Sequence, residues 1–102
     1  MKPNIVVVGS SNTDLIVRVP RIPRPGETIL GGRFATAPGG KGANQAVAAA
    51  RAGGRVTFVA RVGRDAFGAQ AIAGFRRDGI DVRHVRRDPD APSGVALIFV
   101  AA

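Results

Sequence analysis

APGGKGANQAVAAARAG, residues 37–53, places three glycines around one lysine and then runs into strong helix formers. The alanine, glutamine and arginine content predicts a helix over residues 43–52. Gly53-Gly54 closes it, because glycine takes the left-handed cap at little cost. Glycines before a helix often mark a phosphate site, since the first N–H groups of a helix lack partners within it. Two such sites can be tested residue by residue. A P-loop needs glycine five positions before its Gly-Lys pair and Ser or Thr after it. Here those positions hold Ala35 and Gly42. The dinucleotide fingerprint needs a strand running straight into G-x-G-x-x-G or A. Gln45 occupies the last position, and Ala37-Pro38 is a poor strand end. What remains is a site of close approach. Gly39, Gly40 and Gly42 expose backbone, Lys41 offers a cation, and Asn44 offers donors and an acceptor. That set suits a polyhydroxylated ligand as well as a phosphate. A plain tight turn into the helix is the alternative.

Outward from this stretch, strands and helices alternate. Residues 4–8 form a short β-branched apolar run, the pattern of a buried strand central in a sheet. Residues 14–19, DLIVRV, form a second strand. The prolines of residues 20–26 exclude a central strand, and two extended pieces, 27–30 and 33–37, flank Gly31-Gly32 as a small antiparallel flap. Residues 56–62 are a third strand. Asp65 is a candidate N-cap for a helix over residues 66–78, on which Phe67, Ala71, Ile72 and Phe75 share one face. Residues 80–85 are extended, 88–93 are turn chemistry, and 94–100 are strongly apolar strand. Such alternation predicts an α/β fold with a mostly parallel sheet. The chain stops directly after its most apolar strand, which reads as the front part of a larger enzyme.

A second candidate site follows the first strand. In open α/β sheets ligands bind beyond the strand carboxyl ends. Gly9-Ser-Ser-Asn-Thr-Asp14 lies there, and Asn12 with Asp14 pairs a mixed donor and acceptor with a carboxylate. That combination holds vicinal hydroxyls. Its plain alternative is a polar turn before the next strand.

Bulk composition narrows the class. The chain has 102 residues, no cysteine and a formal net charge of +8. The length fits one domain or part of one. No disulfide or thiolate metal site can form, which suits a cytoplasmic protein. The apolar run at the start is too short for a signal-peptide core or a membrane span. The arginines are scattered with no run longer than two, and the five aromatics, all Phe, do not alternate with them. This reads as a solvated basic surface, without a nucleic-acid or membrane partner. His84 is the single histidine and has no acidic partner at ligand spacing.

Five segments together carry a family resemblance: GSSNTD at 9–14, PRPGET at 23–28, GGKGANQAVAAARAG at 39–53, VGRDAFG at 62–68 and SGVALIFV at 93–100. The chain resembles the ribokinase branch of the PfkB sugar kinases over nearly its whole length. The resemblance implies a partial ribokinase-like fold: a central α/β sheet with a small β-sheet lid, here about residues 14–37 and 95–100. It implies transfer of the ATP γ-phosphate to a sugar hydroxymethyl group with magnesium, activation by potassium, and homodimers paired through the lids. Ribose is the implied sugar. Fructose, a nucleoside or a ketodeoxy sugar acid is the alternative, and a non-catalytic basic binding module is another. Asn12, Thr13, Asp14, Gly40, Lys41, Gly42, Ala43 and Asn44 would form the sugar site. The family's catalytic aspartate lies in a later Gly-Ala-Gly-Asp motif that nothing here matches. No catalytic, cofactor or metal residue is therefore expected in this chain, and alone it should be inactive. Gly63-Arg64-Asp65 imitates that motif, but Asp65 reads as a helix cap.

Overall fold

A computed structural model describes residues 2–102. Its elements are β1 (Asn4–Val8), β2 (Asn12–Val19), β3 (Arg33–Gly39), α1 (Lys41–Arg51), β4 (Arg55–Gly63), α2 (Ala66–Arg77), β5 (Val85–Asp88) and β6 (Gly94–Ala101). They form two three-stranded sheets. The first, in the order β1-β4-β5, is parallel throughout. The second has the order β3-β2-β6, with β2 antiparallel to β3 and parallel to β6. The flap read from the sequence is thus a separate but mixed sheet.

Both helices cover the same face of the first sheet. Ala43 and Ala46 of α1 are buried against it with Val56, Phe58 and Val62 of β4, and α2 adds Ile72 and Phe75. Methyl side chains let the backbone of α1 lie close to the strands, which explains an alanine helix at this place. Phe58 and Phe75 meet edge to face, with ring centroids 5.2 Å apart. Gly53, at φ 104°, ends α1 while its N–H and that of Gly54 return to the carbonyls of Ala50 and Ala49. Asp65 caps α2 by accepting from the Gly68 N–H at 2.8 Å.

The structure corrects four local expectations. β1 is an edge strand, not a central one. Its Ile5 and Val7 pack toward the core, but Val6 and Val8 are 66% and 75% exposed, because both helices lie on the other face. Residues 27–30 are not a strand. Gly26, Gly31 and Gly32 all take positive φ and break the pleat, while Arg21 grips Glu27 through two hydrogen bonds. Pro38 does lie in a strand, which is tolerated because β3 is at an edge and needs no donor there. Residues 80–85 are not one continuous strand: Asp81 bridges Thr57, then accepts from the Arg83 backbone and guanidinium, turning the chain so that β5 begins only at Val85. His84 lies in that turn.

The acidic groups report on this fold. Hydrogen bonds from the Arg83 side chain and N–H hold Asp81 down to about 2, and the N–H groups of Asp90 and Ala91 with Arg61 hold Asp88 down to about 2. Both carboxyls are more acidic folded than unfolded. Their stabilisation is complete above about pH 4, the unfolded carboxyl range, and is lost as pH falls toward about 2. Thermal melts should therefore be flat from neutrality to pH 4 and drop below it, and Asp88→Asn should blunt the drop. In urea, Phe58→Ala should cost about 3–5 kcal/mol, because it opens a cavity at the centre of the core.

Candidate functional site

Gly39 and Gly40, before α1, and Gly42, in its first turn, meet the segment between β1 and β2 at one point, and each does something different. Gly42 crosses Gly9. A Cβ added to Gly42 would sit 2.7 Å from the Gly9 Cα, and one added to Gly9 would sit 2.8 Å from the Gly42 Cα. No L side chain fits on either side. Gly40 turns the chain into α1 at φ 99° with no side-chain cap, and a Cβ there would lie 2.6 Å from the Ser10 carbonyl oxygen and 3.1 Å from Asn12 Oδ1. Gly39 makes room for Asp14: its Cβ would stand 2.5 Å from Asp14 Oδ1 and 2.9 Å from Asn12 Nδ2. The glycine run is a socket shaped around the Asn12 and Asp14 side chains.

Those two side chains share a face of β2, two residues apart. Asn12 pairs with Gly39 and Gly94, and Asp14 with Ala37 and Ala96. Asn12 Nδ2 donates to Asp14 Oδ1 at 3.1 Å. This bond orients the amide so that Asn12 Oδ1 and Asp14 Oδ2 are left as acceptors, without a protein donor among the described residues. Both residues are half-buried. They belong to the strand itself, since β2 starts at Asn12 and not at Asp14 as the sequence suggests.

The remaining sequence-derived candidates divide. Lys41 and Asn44 are exposed on the first turn of α1, beside the socket. Thr13 is half-buried and alternates to the opposite face of β2. Ala43 is a packing residue: its methyl joins the core, and its N–H donates to the Ser10 carbonyl at 3.0 Å. A concavity of ≈ 920 Å³ forms a groove between α1 and α2 that ends at the base of the second sheet. It takes in Asn12, Thr13 and Asn44 but not Asp14, Gly40 or Lys41, and at its far end Arg51 and Asp78 bridge the helices at 3.0 Å. The acceptors Asn12 Oδ1 and Asp14 Oδ2 lie together at the socket, and this crevice takes in only the first of the two residues. Sequence reasoning placed Gly9 and Ser10 in the second candidate stretch without giving them a role; their part is played by backbone. The only signal for them was the glycine directly after an apolar strand.

A triphosphate with a divalent cation does not fit the described residues. The α1 N-terminus is crossed by the Gly9–Ser10 backbone, and the α2 N-terminus is occupied by the Asp65 carboxylate, which repels an anion. Among the described residues no three His, Cys, Asp or Glu side chains group as metal ligands. No helix among them is long and apolar enough to cross a membrane.

Gly42→Ala tests the crossing. It should lower the melting temperature and shift the amide resonances of both Gly9 and Ser10, whereas Gly53→Ala, with open space around its Cβ position, should act only through its positive φ. Equal and local effects of the two would contradict the crossing.

Comparison with known proteins agrees with this architecture. The model of the pfkB family carbohydrate kinases matches residues 2–102. The chain is 43% identical to the ribokinase of Haemophilus influenzae over 101 residues, covering 99% of this chain and 33% of that protein. It is 48% identical to the ribokinase of Schizosaccharomyces pombe over 103 residues, covering 95% and 32%. The structure of Arabidopsis thaliana ribokinase complexed with ribose and ATP superposes with a TM-score of 0.87 at 39% identity, covering 99% of this chain and 33% of that one. The chain spans about a third of the length of the curated relatives it matches. With a partial ribokinase-like α/β fold and a family match along all the described residues, it belongs to the pfkB family of carbohydrate kinases.

Proposed function

We propose that this chain is the sugar-binding and lid portion of a ribokinase-like carbohydrate kinase, which in its intact form phosphorylates D-ribose at the 5-hydroxyl. The observation that carries this reading is the Asn12–Asp14 pair held in the glycine socket. Two oriented acceptors, Asn12 Oδ1 and Asp14 Oδ2, suit the donor protons of two neighbouring hydroxyls. The Lys41 ammonium and Asn44 amide stand on the adjacent helical turn to complete the set of donors. Similarity to two ribokinases, and to a ribokinase structure complexed with ribose and ATP, supports ribose as the sugar.

In this reading the chain's residues bind and orient. Asp14 and Asn12 fix the sugar ring, which converts an encounter into a positioned reactant. The second sheet, with β2 at its centre, acts as the lid and keeps water from the sugar. ATP supplies the phosphoryl group when bound, with magnesium, and potassium serves as activator. Their sites, the general base and the anion hole belong to segments other than these, since no Gly-Ala-Gly-Asp motif occurs here. The setting is the cytoplasm, with no nucleic-acid or membrane partner.

The second sheet also supports a homodimer. On the face opposite Asp14, Leu15, Thr36 and Leu97 lie in one row and Val17, Phe34 and Phe99 in the next. Phe34 is 68% exposed and Leu97 74%. A contiguous apolar face of this kind is the surface on which two lids pair.

Titration calorimetry with ribose, 2-deoxyribose and fructose tests the reading. Ribose should bind best, and Asp14→Ala should weaken it by about ten- to a hundredfold, the loss expected for a hydrogen-bonded charged partner. Preference for another sugar would reassign the substrate. Absence of any sugar effect, with a shift of labelled RNA at physiological salt, would replace the kinase reading by that of a basic binding module. In sedimentation velocity, Leu97→Glu should convert a dimer to a monomer without loss of fold.

A further inference from the structure

Asp65 makes more bonds than a helix cap requires. One N–H from the first turn satisfies that role, and Gly68 supplies it to Oδ1 at 2.8 Å. The other bonds go to a residue 28 positions later. Ser93 Oγ donates to Asp65 Oδ1 at 2.7 Å, and the Ser93 N–H donates to Oδ2 at 2.8 Å. Ser93 Oγ in turn accepts from the Gly63 N–H at 2.9 Å. Ser93 is buried and Asp65 half-buried. A Cβ on Gly63 would strike the Ser93 N, and one on Gly68 would strike the Gly63 carbonyl oxygen. The glycines of VGRDAFG are there to let the end of β4, the start of α2 and Ser93 come together.

Ser93 is the residue before β6, and the first residue of β6, Gly94, is the ladder partner of Asn12. A Cβ on Gly94 would already sit 3.4 Å from Asn12 Cβ. The cluster therefore stands one residue from the strand that backs the Asn12–Asp14 pair. The second sheet is joined to the first layer by chain at β1–β2 and at β3–α1, both beside the socket. Its third strand arrives by the 89–93 segment, whose slack Asp65 removes by seizing Ser93.

We infer that Asp65 and Ser93 form a latch that sets the angle of the second sheet against the first layer, making both of them positioning residues for the sugar site. The effect on sugar rests on the sugar site proposed above; the mechanical effect on the sheet does not. The latch acts through β6 on Asn12 and touches no ligand itself.

The test is amide hydrogen exchange on the chain, with ribose titration beside it, for wild type, Ser93→Ala and Asp65→Asn. Ser93→Ala removes only the hydroxyl bonds. Asp65→Asn keeps an acceptor for Gly68 but turns a donor or a weaker acceptor toward Ser93. In both variants the amides where β6 meets β2, from Gly94 to Ala96 and Asn12 to Asp14, should exchange about fivefold faster or more, while those of α2 keep their rates. Ribose affinity should fall by about three- to tenfold. Acceleration shared equally by α2 and β4, or none at β6, would overturn the latch and leave Asp65 a cap. If wild type binds no ribose, the sugar reading fails while the exchange pattern still decides the latch.

Discussion

The contact between Gly9 and Gly42 has no side chain on either side, and the rest of the molecule is arranged around it. Two backbones approach until an added Cβ on one would stand under 3 Å from the Cα of the other. That approach brings the start of α1 over the carboxyl end of β1. It lets the Ser10 carbonyl accept the Ala43 N–H, so that one of the open donors of the helix is filled by the protein and not by a phosphate. It also fixes where β2 departs, hence where Asn12 and Asp14 stand. Both partners are already the smallest residue, so no second substitution at the contact can compensate for a first. Size can be recovered only by moving the helix or the strand.

The second sheet divides its labour between faces. Alternation along β2 puts Asn12 and Asp14 on one side and Thr13, Leu15 and Val17 on the other. The polar side is organised by one short hydrogen-bonded pair and the glycines opposite. The apolar side is left broad and exposed, with Phe34, Leu97 and Phe99 contributed by its two outer strands. A slip of one residue in the β2–β6 register would exchange these faces. The latch at Ser93 acts where that register begins, next to Gly94.

Much of this was legible in the sequence where the information is local. Gly53-Gly54 marks the end of α1, Asp65 marks the start of α2, and the β-branched runs mark β1, β4 and β6, because caps and periodicity act over a few residues. Family resemblance carried by GGKGANQA and its companion segments supplied the fold class. What stayed hidden depends on distant residues. Nothing in Asn4–Val8 tells an edge strand from a central one, since its apolar character is the same and only the placement of both helices on one face exposes Val6 and Val8. Pro38 looks like a strand breaker until β3 is known to be an edge. Ser93 looks like one more turn residue until Asp65 is found against it, and Gly42 looks like backbone bared for a ligand until Gly9 is found beneath it.

The parallel pairing of β2 with β6 has a consequence for how the chain acquires its shape. β1 already reaches across α1 to pair with β4, Asn4 beside Arg55, but β2 must wait longer, for a partner that follows α2 and β5, with Asn12 beside Gly94 and Val19 beside Ala101. Long-range strand pairings are slow, because the loop entropy is spent before the contacts reward it. During synthesis the early layer can therefore collapse while β2 and β3 exist as a bare hairpin with both edges open. The Asn12–Asp14 pair lies on that hairpin, so its surroundings are complete only once β6 has docked beside β2, and until then the strand edges of the hairpin are unpaired.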